Sequence, residues 1–457
     1  MSFTADLASW AAGADGRHRP AAARIAGAAI IDIVSCMVAG AGDEATKAVA
    51  AGVGAAGRGA CLAFAGPRLT PALAALVNGT AAHALDFDDN FAPGLTHATA
   101  VLVPALLALA EEEGLSGAAI VDAYCIGLEL QARIGRLMLP RHYELGWHAT
   151  STIGAIGTAG ACARLLKLDA AAILAAMSIA SSMAGGSKKQ FGSMVKPLHA
   201  GIAAHHAVLA ARLAQAGVRG DEEPLCGPWG FAELHLDGPP ASPETALAGL
   251  GESLAIETDG LLVKRFPCCA AAHKTLDGIA LLRERHAIDP ASVVAVETVI
   301  PELGRRNLRF DEPTSDMQAR FSLTYCATRV LWQGHLALAD LTPAGVADPL
   351  IREWLPRVKI ATERADLRRF AVPTRIITRD GRTFEVSIDA LRGSLADPLS
   401  EADIRAKARD CCRWAGCEAS WETVHALAAG LPAAEDCRPV LAGLAAAIAP
   451  AATRSEI

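Results

Sequence analysis

Five short stretches of this chain collect side chains able to move protons or hold anions. HALDFDDNFAPGLTH, residues 83–97, brings together His83, Asp86, Asp88, Asp89, Asn90 and His97. GWHATST, residues 146–152, sets His148 among small hydroxyl residues, and KKQFGSMVKPLHAG, residues 188–201, carries Lys196 and His199. VKRFPCCAAAHKTLD, residues 263–277, contributes His273, and QARFSLTYCA, residues 318–327, contributes Arg320 and Tyr325. Each stretch alone has a plain structural reading: capping carboxylates, a packed histidine, a solvated lysine, a tyrosine hydrogen-bonded inside a core. The aspartate cluster also admits a Mg²⁺ site for diphosphate chemistry, although the cluster occurs only once. Taken together, the histidines, lysine, aspartate and tyrosine suit proton transfer at a carbon next to a carboxylate. In such chemistry cations hold the substrate carboxylates and the developing enolate-like charge, while an acid/base pair moves the proton. A non-catalytic helical binding protein is a third reading of the same residues.

The elements that must present these residues are at first helical. As far as Glu257, Ala, Leu and Ile recur at three- and four-residue spacing with little alternation. The pattern predicts helices from a Thr70 cap toward His83, from about His97 to Glu113, and from a Ser116 cap through Met138. Two more are predicted over Thr150–Leu166 and Leu198–Ala216, the latter with Pro197 in its first turn. The polar stretches therefore fall at junctions between apolar helices. Gly154, Gly157 and Gly160 recur every third residue and predict close helix packing; no strand precedes them, as a phosphate loop would need. Lys196 lies just before a helix start, where a cation is unfavourable without an anionic partner. Residues 217–258 read as a surface connection. After Thr258 the character changes. Ser292–Ile300 alternates like a strand, Val358–Glu363 is a second candidate, and Thr374–Ile388 reads as a hairpin with Asp380-Gly381 suited to a type I′ turn. Helical stretches lie near Cys269–His286, Gln318–Trp332 and Asp348–Trp354. Ser400 with Asp403 resembles a capping box, and the Ala-rich tail, 424–450, is apolar enough to pack back onto the first helices. The resulting division is 1–257, 258–397 and 398–457.

With 457 residues the chain has room for two to four domains. It is 52% apolar, 5% aromatic and 20% charged, and 42 Lys+Arg against 49 Asp+Glu leave a net charge of −7. That apolar content excludes a disordered chain, and the mildly acidic balance offers no basic footprint for nucleic acid or an anionic membrane. The longest candidate span, Ala98–Ala110, contains Thr99 and Pro104 and stops at Glu111, short of the roughly 20 apolar residues a bilayer needs. It reads as a buried helix. The opening segment lacks the basic-then-apolar layout of a secretory signal, so a soluble, cytoplasmic protein is expected. The 12 cysteines include no CxxC, and the adjacent pairs Cys268-Cys269 and Cys411-Cys412 suit neither zinc nor an iron–sulfur cluster. Reduced, buried thiols are expected.

On the same five stretches the chain resembles the MmgE/PrpD family, which includes 2-methylcitrate dehydratase, cis-aconitate decarboxylase and iminodisuccinate epimerase. The segments that carry the resemblance are HALDFDDN with TH, GWHATSTIGAIGTAGACARLLKLD, KPLHAG, KRFPCCAAAH and ARFSLTYCA, in family order over about Asp6–Gly416. The resemblance implies a mainly α fold: a large all-helical domain formed by both chain ends, with an inserted smaller α+β lid domain. It also implies a homodimer and a site between the domains that takes a small di- or tricarboxylate without cofactor or metal. Carried over by motif, the catalytic residues are His97, His148, Lys196, Asp86 and Tyr325, and the substrate-binding residues are Asn90, His199, His273 and Arg320. In this scheme His97 and His148 are the acid/base pair, and Lys196 binds a carboxylate or the developing enolate. Asp86 orients a histidine or the substrate, while His273 and Tyr325 close the site from the lid side. Two departures touch the substrate loop. Asn90 stands where the dehydratases and decarboxylases typically have Thr, and NFAPGLTH is one residue longer than in those decarboxylases. An Asn amide does not donate a proton to a leaving hydroxyl at neutral pH. Epimerisation needs no leaving group, so epimerisation of an iminodisuccinate-type substrate is the first expectation. A dehydratase of the 2-methylcitrate type, or a cis-aconitate-type decarboxylase, is the alternative.

Overall fold

The computed structural model describes residues 2–14, 19–55, 57–366 and 369–449. Its helices begin where the chain offers a cap or a proline. Pro71 opens the helix Pro71–His83 at the first helical position, where a missing N–H is harmless. Thr70 precedes it as N-cap by position only, because its hydroxyl makes no capping bond. Ala98–Glu113 runs from His97 to Gly114, which ends it in the left-handed conformation. Ser116 caps Gly117–Met138 by accepting from the Ala119 N–H. Ile153–Leu165 packs along Gly117–Met138, and Val195–Gln215 packs along Pro71–His83.

Glycines let these helices touch. A Cβ on Gly79 would lie 2.9 Å from the Gly201 Cα, and one on Gly201 would lie 2.3 Å from the Leu76 carbonyl oxygen. This crossing brings the end of Pro71–His83 beside Val195–Gln215, whose first turn carries Lys196. Gly157 and Gly160 act as their spacing predicts: Cβ atoms there would sit 2.5 Å from the side chains of Gln131 and Leu130.

Buried apolar residues form two clusters. The larger draws on both chain ends, from Phe3 and Leu7 to Val424, Leu441 and Leu444. The tail folds back onto it through Trp421–Gly430 and Arg438–Ile448, and residue 450 lies outside the described residues. Ser400 and Asp403 form the capping box of Glu401–Trp414. The smaller cluster runs from Phe266 to Ile376. A short strand, β1 (Arg58–Cys61), belongs to the first part. The others are β2 (Val293–Pro301), β3 (Val358–Glu363), β4 (Val372–Thr378) and β5 (Thr383–Ile388). They form one sheet in the order β3-β2-β4-β5, with β2 parallel to β3 and the other pairs antiparallel. The fold is mainly α with a small mixed sheet.

Four details differ from the sequence pattern. In the β4–β5 turn only Gly381 has positive φ, +83°, and its N–H donates to the Thr378 carbonyl at 3.0 Å. A type I′ turn needs two left-handed residues, and Asp380 is not one of them. Residues 217–258 are more than a surface connection. Phe231 and Ala246 enter the larger core, and Arg133, ion-paired to Glu129 at 2.6 Å, donates to the carbonyls of Ala246 and Ala248. The helix expected over Gln318–Trp332 breaks at residues 320–322, where Ser322 caps Leu323–Gln333 by accepting from the Tyr325 N–H. Finally, among the described residues the helix long and apolar enough to cross a membrane is Pro20–Gly40, not Ala98–Ala110. It is largely buried in the larger core and carries the buried Asp32. All 12 cysteines are free, and ten of them are buried.

The Gly79–Gly201 crossing generates a stability prediction. Gly201→Ala should destabilise the protein by about 3 kcal/mol or more, because the new methyl meets main chain that cannot yield. Gly52→Ala, on an exposed helix face with nothing within 4 Å, should stabilise by about 1 kcal/mol or less. Denaturant unfolding of both variants checks this; equal, near-zero effects would show that the crossing is not tight.

Candidate active site

The loop after Pro71–His83 turns on Asp86, which adopts φ +51°. Aspartate tolerates this left-handed region because its short polar side chain bonds locally. The turn presents two Asp86 oxygens to lysines. Lys264 Nζ donates to the Asp86 carbonyl at 2.7 Å and lies 3.2 Å from Oδ1. Lys196 Nζ donates to the same Oδ1 at 2.5 Å. Lys196 thus has the anionic partner that its place in a first helical turn requires. Asp88 is buried behind this pair. His83 Nδ1 donates to its Oδ2 at 2.9 Å, and His97 Nδ1 lies 3.1 Å from that oxygen, off the hydrogen-bond direction. Asp89 accepts from Thr99, whose hydroxyl also meets the Tyr124 hydroxyl at 2.6 Å. Asn90 exchanges main-chain hydrogen bonds with Leu262.

Burial raises all three carboxyls, and their partners decide the outcome. Lys196 and Lys264 beside Asp86, and His83 and His97 beside Asp88, outweigh burial and hold both carboxyls below the usual range. Asp89 is pushed up by burial to about 7, its bond from Thr99 only partly opposing this. Burial lowers His97 despite Asp88, and takes His83 down to about 3. It holds His148 well below 6.5, with His199 and Lys196 adding to the effect. Lys196 is lowered by burial; at Lys264, Asp86 and Asp88 outweigh burial and raise it. His97 and His148 are therefore neutral at pH 7. An ionised Asp88 only accepts, which favours the Nδ1–H tautomer of His83 and leaves its lone pair on Nε2.

Asp86, Asn90, His97, His148 and Lys196 line one side of a cavity of about 320 Å³. Cys269, Lys274, Asn307 and Phe321, from the part of the chain that builds the second core, line it as well. The His97 and His148 rings stand 6.4 Å apart at 70°. Asp86 Oδ2, Asn90 Oδ1 and His148 Nε2 are buried and have no protein partner. Buried polar atoms are normally paired, so these orphans, with His97 Nδ1, Asn307 Oδ1 and Ser394 Oγ on residues of the same cavity, mark a place for a polar ligand. Lys264 already balances Asp86, which leaves the Lys196 charge available to an incoming carboxylate. One ligand atom each from His83, Asp86, Asp88 and His97 could lie within 4.8 Å of the others, as around a metal ion. However, two ammonium groups occupy Asp86 Oδ1, and His83 turns its N–H to Asp88. These donors fit an ion-pair network better than a metal site. Asp89, bonded to Thr99, does not line the cavity, which removes a ligand from the diphosphate reading.

Of the other expected residues, His199 stands just behind the wall, its Nδ1 3.0 Å from His148 Nδ1. His273, Arg320 and Tyr325 do not line the cavity. The Cys268 carbonyl lies 3.2 Å from His273 Nε2, Asp316 pairs with Arg320 at 3.0 Å, and the Tyr325 hydroxyl donates to the Asp340 carbonyl at 2.5 Å. These partners turn all three away from the cavity, while their chain neighbours Lys274 and Phe321 face it. Sequence reasoning passed over Lys264, Asp88 and His83 as site residues, although all three lie in the quoted stretches. Nothing in the sequence pointed to Asn307.

Residues 5–244 match the MmgE/PrpD N-terminal domain, and residues 266–429 match the MmgE/PrpD C-terminal domain. The chain belongs to the MmgE/PrpD family. Among its relatives, the cis-aconitate decarboxylase of Homo sapiens is 30% identical over 391 residues, 81% of this chain and 78% of that protein. The cis-aconitate decarboxylase of Mus musculus is 30% identical over 389 residues, with the same shares. A cis-aconitate decarboxylase-like protein of Aspergillus oryzae is 25% identical over 75% of this chain and 76% of its own length.

The buried histidines predict an acid-sensitive fold. His83 and His273 are lowered by burial to about 3, and His142 and His199 to about 4. The unfolded chain protonates them near pH 6.5, so their stability is complete above that pH and lost as pH falls below it. Each removes up to about 1.4 kcal/mol per pH unit in that window. Asp89, raised to about 7, works in the opposite direction. The histidines outnumber it, so Tm should drop between pH 7 and pH 5.5; a Tm that holds or climbs across that interval would contradict the neutral assignments.

Proposed function

We propose that the cavity binds a small di- or tricarboxylate, and that the chain is a cofactor-independent carbon–carbon lyase acting on an unsaturated tricarboxylate of the cis-aconitate type. The observation that carries the reading is one cavity lined by a lysine ammonium and two neutral imidazoles, with orphaned polar atoms between them. The names of the relatives support decarboxylation over epimerisation. The Asn90 argument for an epimerase weakens on chemical grounds. Decarboxylation expels CO₂ rather than hydroxide, so a hydroxyl at that position is not required.

In the proposed step a C–CO₂ bond breaks. Its electron pair forms a new C=C bond, and the far carbon of the original alkene takes a proton. Lys196 holds a carboxylate and the negative charge that builds during the shift. His97 or His148 supplies the proton. Both are neutral in the free protein, and the negative charge of the ligand raises their proton affinity.

Proton NMR in D₂O with cis-aconitate, 2-methylcitrate and iminodisuccinate tests the reading. We expect loss of the cis-aconitate vinyl signal, two new exomethylene signals and one deuterium in the product. Stereoisomer interconversion of iminodisuccinate with no reaction of cis-aconitate would replace it with an epimerase. His97→Gln and His148→Gln should each lower kcat about 100-fold or more, as expected for loss of a proton-transfer group. The pH dependence follows from the lowered histidines. The donor must be protonated and its free-protein pKa lies below 6.5, so kcat/KM should fall about tenfold per pH unit above 7. A flat profile from pH 7 to 8.5 would assign the proton to another group.

A further inference from the structure

One main-chain anchor of the Asp86–Asn90 loop comes from outside the cavity. Lys407, in the middle of Glu401–Trp414, is buried, and its Nζ donates to the Phe87 carbonyl at 2.8 Å. The same Nζ lies 2.7 Å from Asp32 Oδ1 and 4.1 Å from the centre of the Phe87 ring. Asp32 is 3% exposed and sits on Pro20–Gly40, which packs against Glu401–Trp414. Phe87 stands between Asp86, which holds Lys196, and Asp88, which faces His97. Its carbonyl belongs to the peptide unit that joins Phe87 to Asp88, so a shift there turns Asp88 directly and bears on Asp86 through the Phe87 backbone. Replacing a buried ion pair by apolar residues is often neutral or stabilising, so stability alone does not call for this lysine.

We propose that Lys407 is a positioning residue: through the Phe87 carbonyl it fixes Asp86 toward Lys196 and Asp88 toward His97, with Asp32 as its counter-charge. The proposal rests on the cavity being the reaction site. It separates two effects that a purely structural ion pair would keep together. In Asp32→Asn the charge balance is broken while Lys407 still reaches Phe87. In the double variant Asp32→Leu/Lys407→Met the balance is restored while the Phe87 carbonyl loses its donor.

The experiment measures Tm, kcat and KM, and hydrogen–deuterium exchange of the peptide covering residues 84–91, in wild type and both variants of the full chain. Asp32→Asn should lower Tm but keep kcat within about threefold and loop exchange near wild type. The double variant should hold Tm within a few degrees of wild type, on the order of the shift from one surface change. Its kcat should fall about tenfold or more, and its loop should exchange faster. Recovery of kcat and loop protection together with Tm in the double variant would overturn the proposal. So would a kcat loss in Asp32→Asn that follows its Tm. If the double variant does not fold, Asp32→Asn alone decides, because positioning requires it to keep kcat and loop protection. A wild-type chain inert toward every acid in the panel would refute the proposed reaction instead, and loop exchange would still decide the role of Lys407.

Discussion

Two ammonium groups share one buried carboxylate. An isolated Asp86 anion in this interior would cost several kcal/mol, and so would either lysine alone. Together they form a unit that must be assembled whole, from residues 86, 196 and 264. Asp88 is held differently, by the imidazoles of His83 and His97, which burial keeps neutral. These charges therefore dictate how closely the helices around them pack. The Gly79–Gly201 contact is the clearest case, since a side chain at either position would separate the lysine from the loop that it holds.

The same burial determines what the site can do. Two imidazoles kept neutral by the interior are ready to bind or release a proton as the charge around them changes. The lysine that meets the cavity keeps an unspent charge because its neighbour balances the aspartate. Carboxylate recognition and proton movement are thereby placed within one enclosure, whose lining comes from residues on both sides of the two-core division. The orphaned oxygens of Asp86 and Asn90 and the nitrogen of His148 give that enclosure polar atoms able to bond a ligand.

Features determined by local chemistry were readable from the sequence. The Ser116 and Ser400 caps depend on neighbours a few residues away, and the strand Val358–Glu363 and the glycine-lined helix Ile153–Leu165 carry their patterns within their own segments. The cavity-lining residues Asp86, Asn90, His97, His148 and Lys196 stood out because polar clusters interrupt apolar helices there. Where a distant partner decides, the sequence was silent. Arg133 reaches the carbonyls of Ala246 and Ala248, which turns an apparently hydrophilic connection into packed structure. Asp340 and Asp316 hold Tyr325 and Arg320 away from the cavity, although both lie in a stretch whose next residue, Phe321, lines it. Lys264 and Lys407 look like ordinary surface lysines until their partners, Asp86 and Asp32, are seen. Reading a reaction from Asn90 and the longer turn before His97 asked one loop to determine what a whole cavity determines.

The loop at residues 86–90 is held by contacts from residues 83, 97, 99, 196, 262, 264 and 407. These contacts impose an order in time. Chains leave the ribosome from the N-terminus and begin to fold as they emerge. By the time residue 201 is clear, the histidines, the first lysine and the loop are all present, yet Lys264 and Lys407 are still to come. Asp86 already has Lys196 to pair with, but Asp32 lacks its lysine until the second half of the chain returns to it. The packing of Glu401–Trp414 against Pro20–Gly40, which brings Lys407 to the loop, is thus among the last contacts that the growing chain can make.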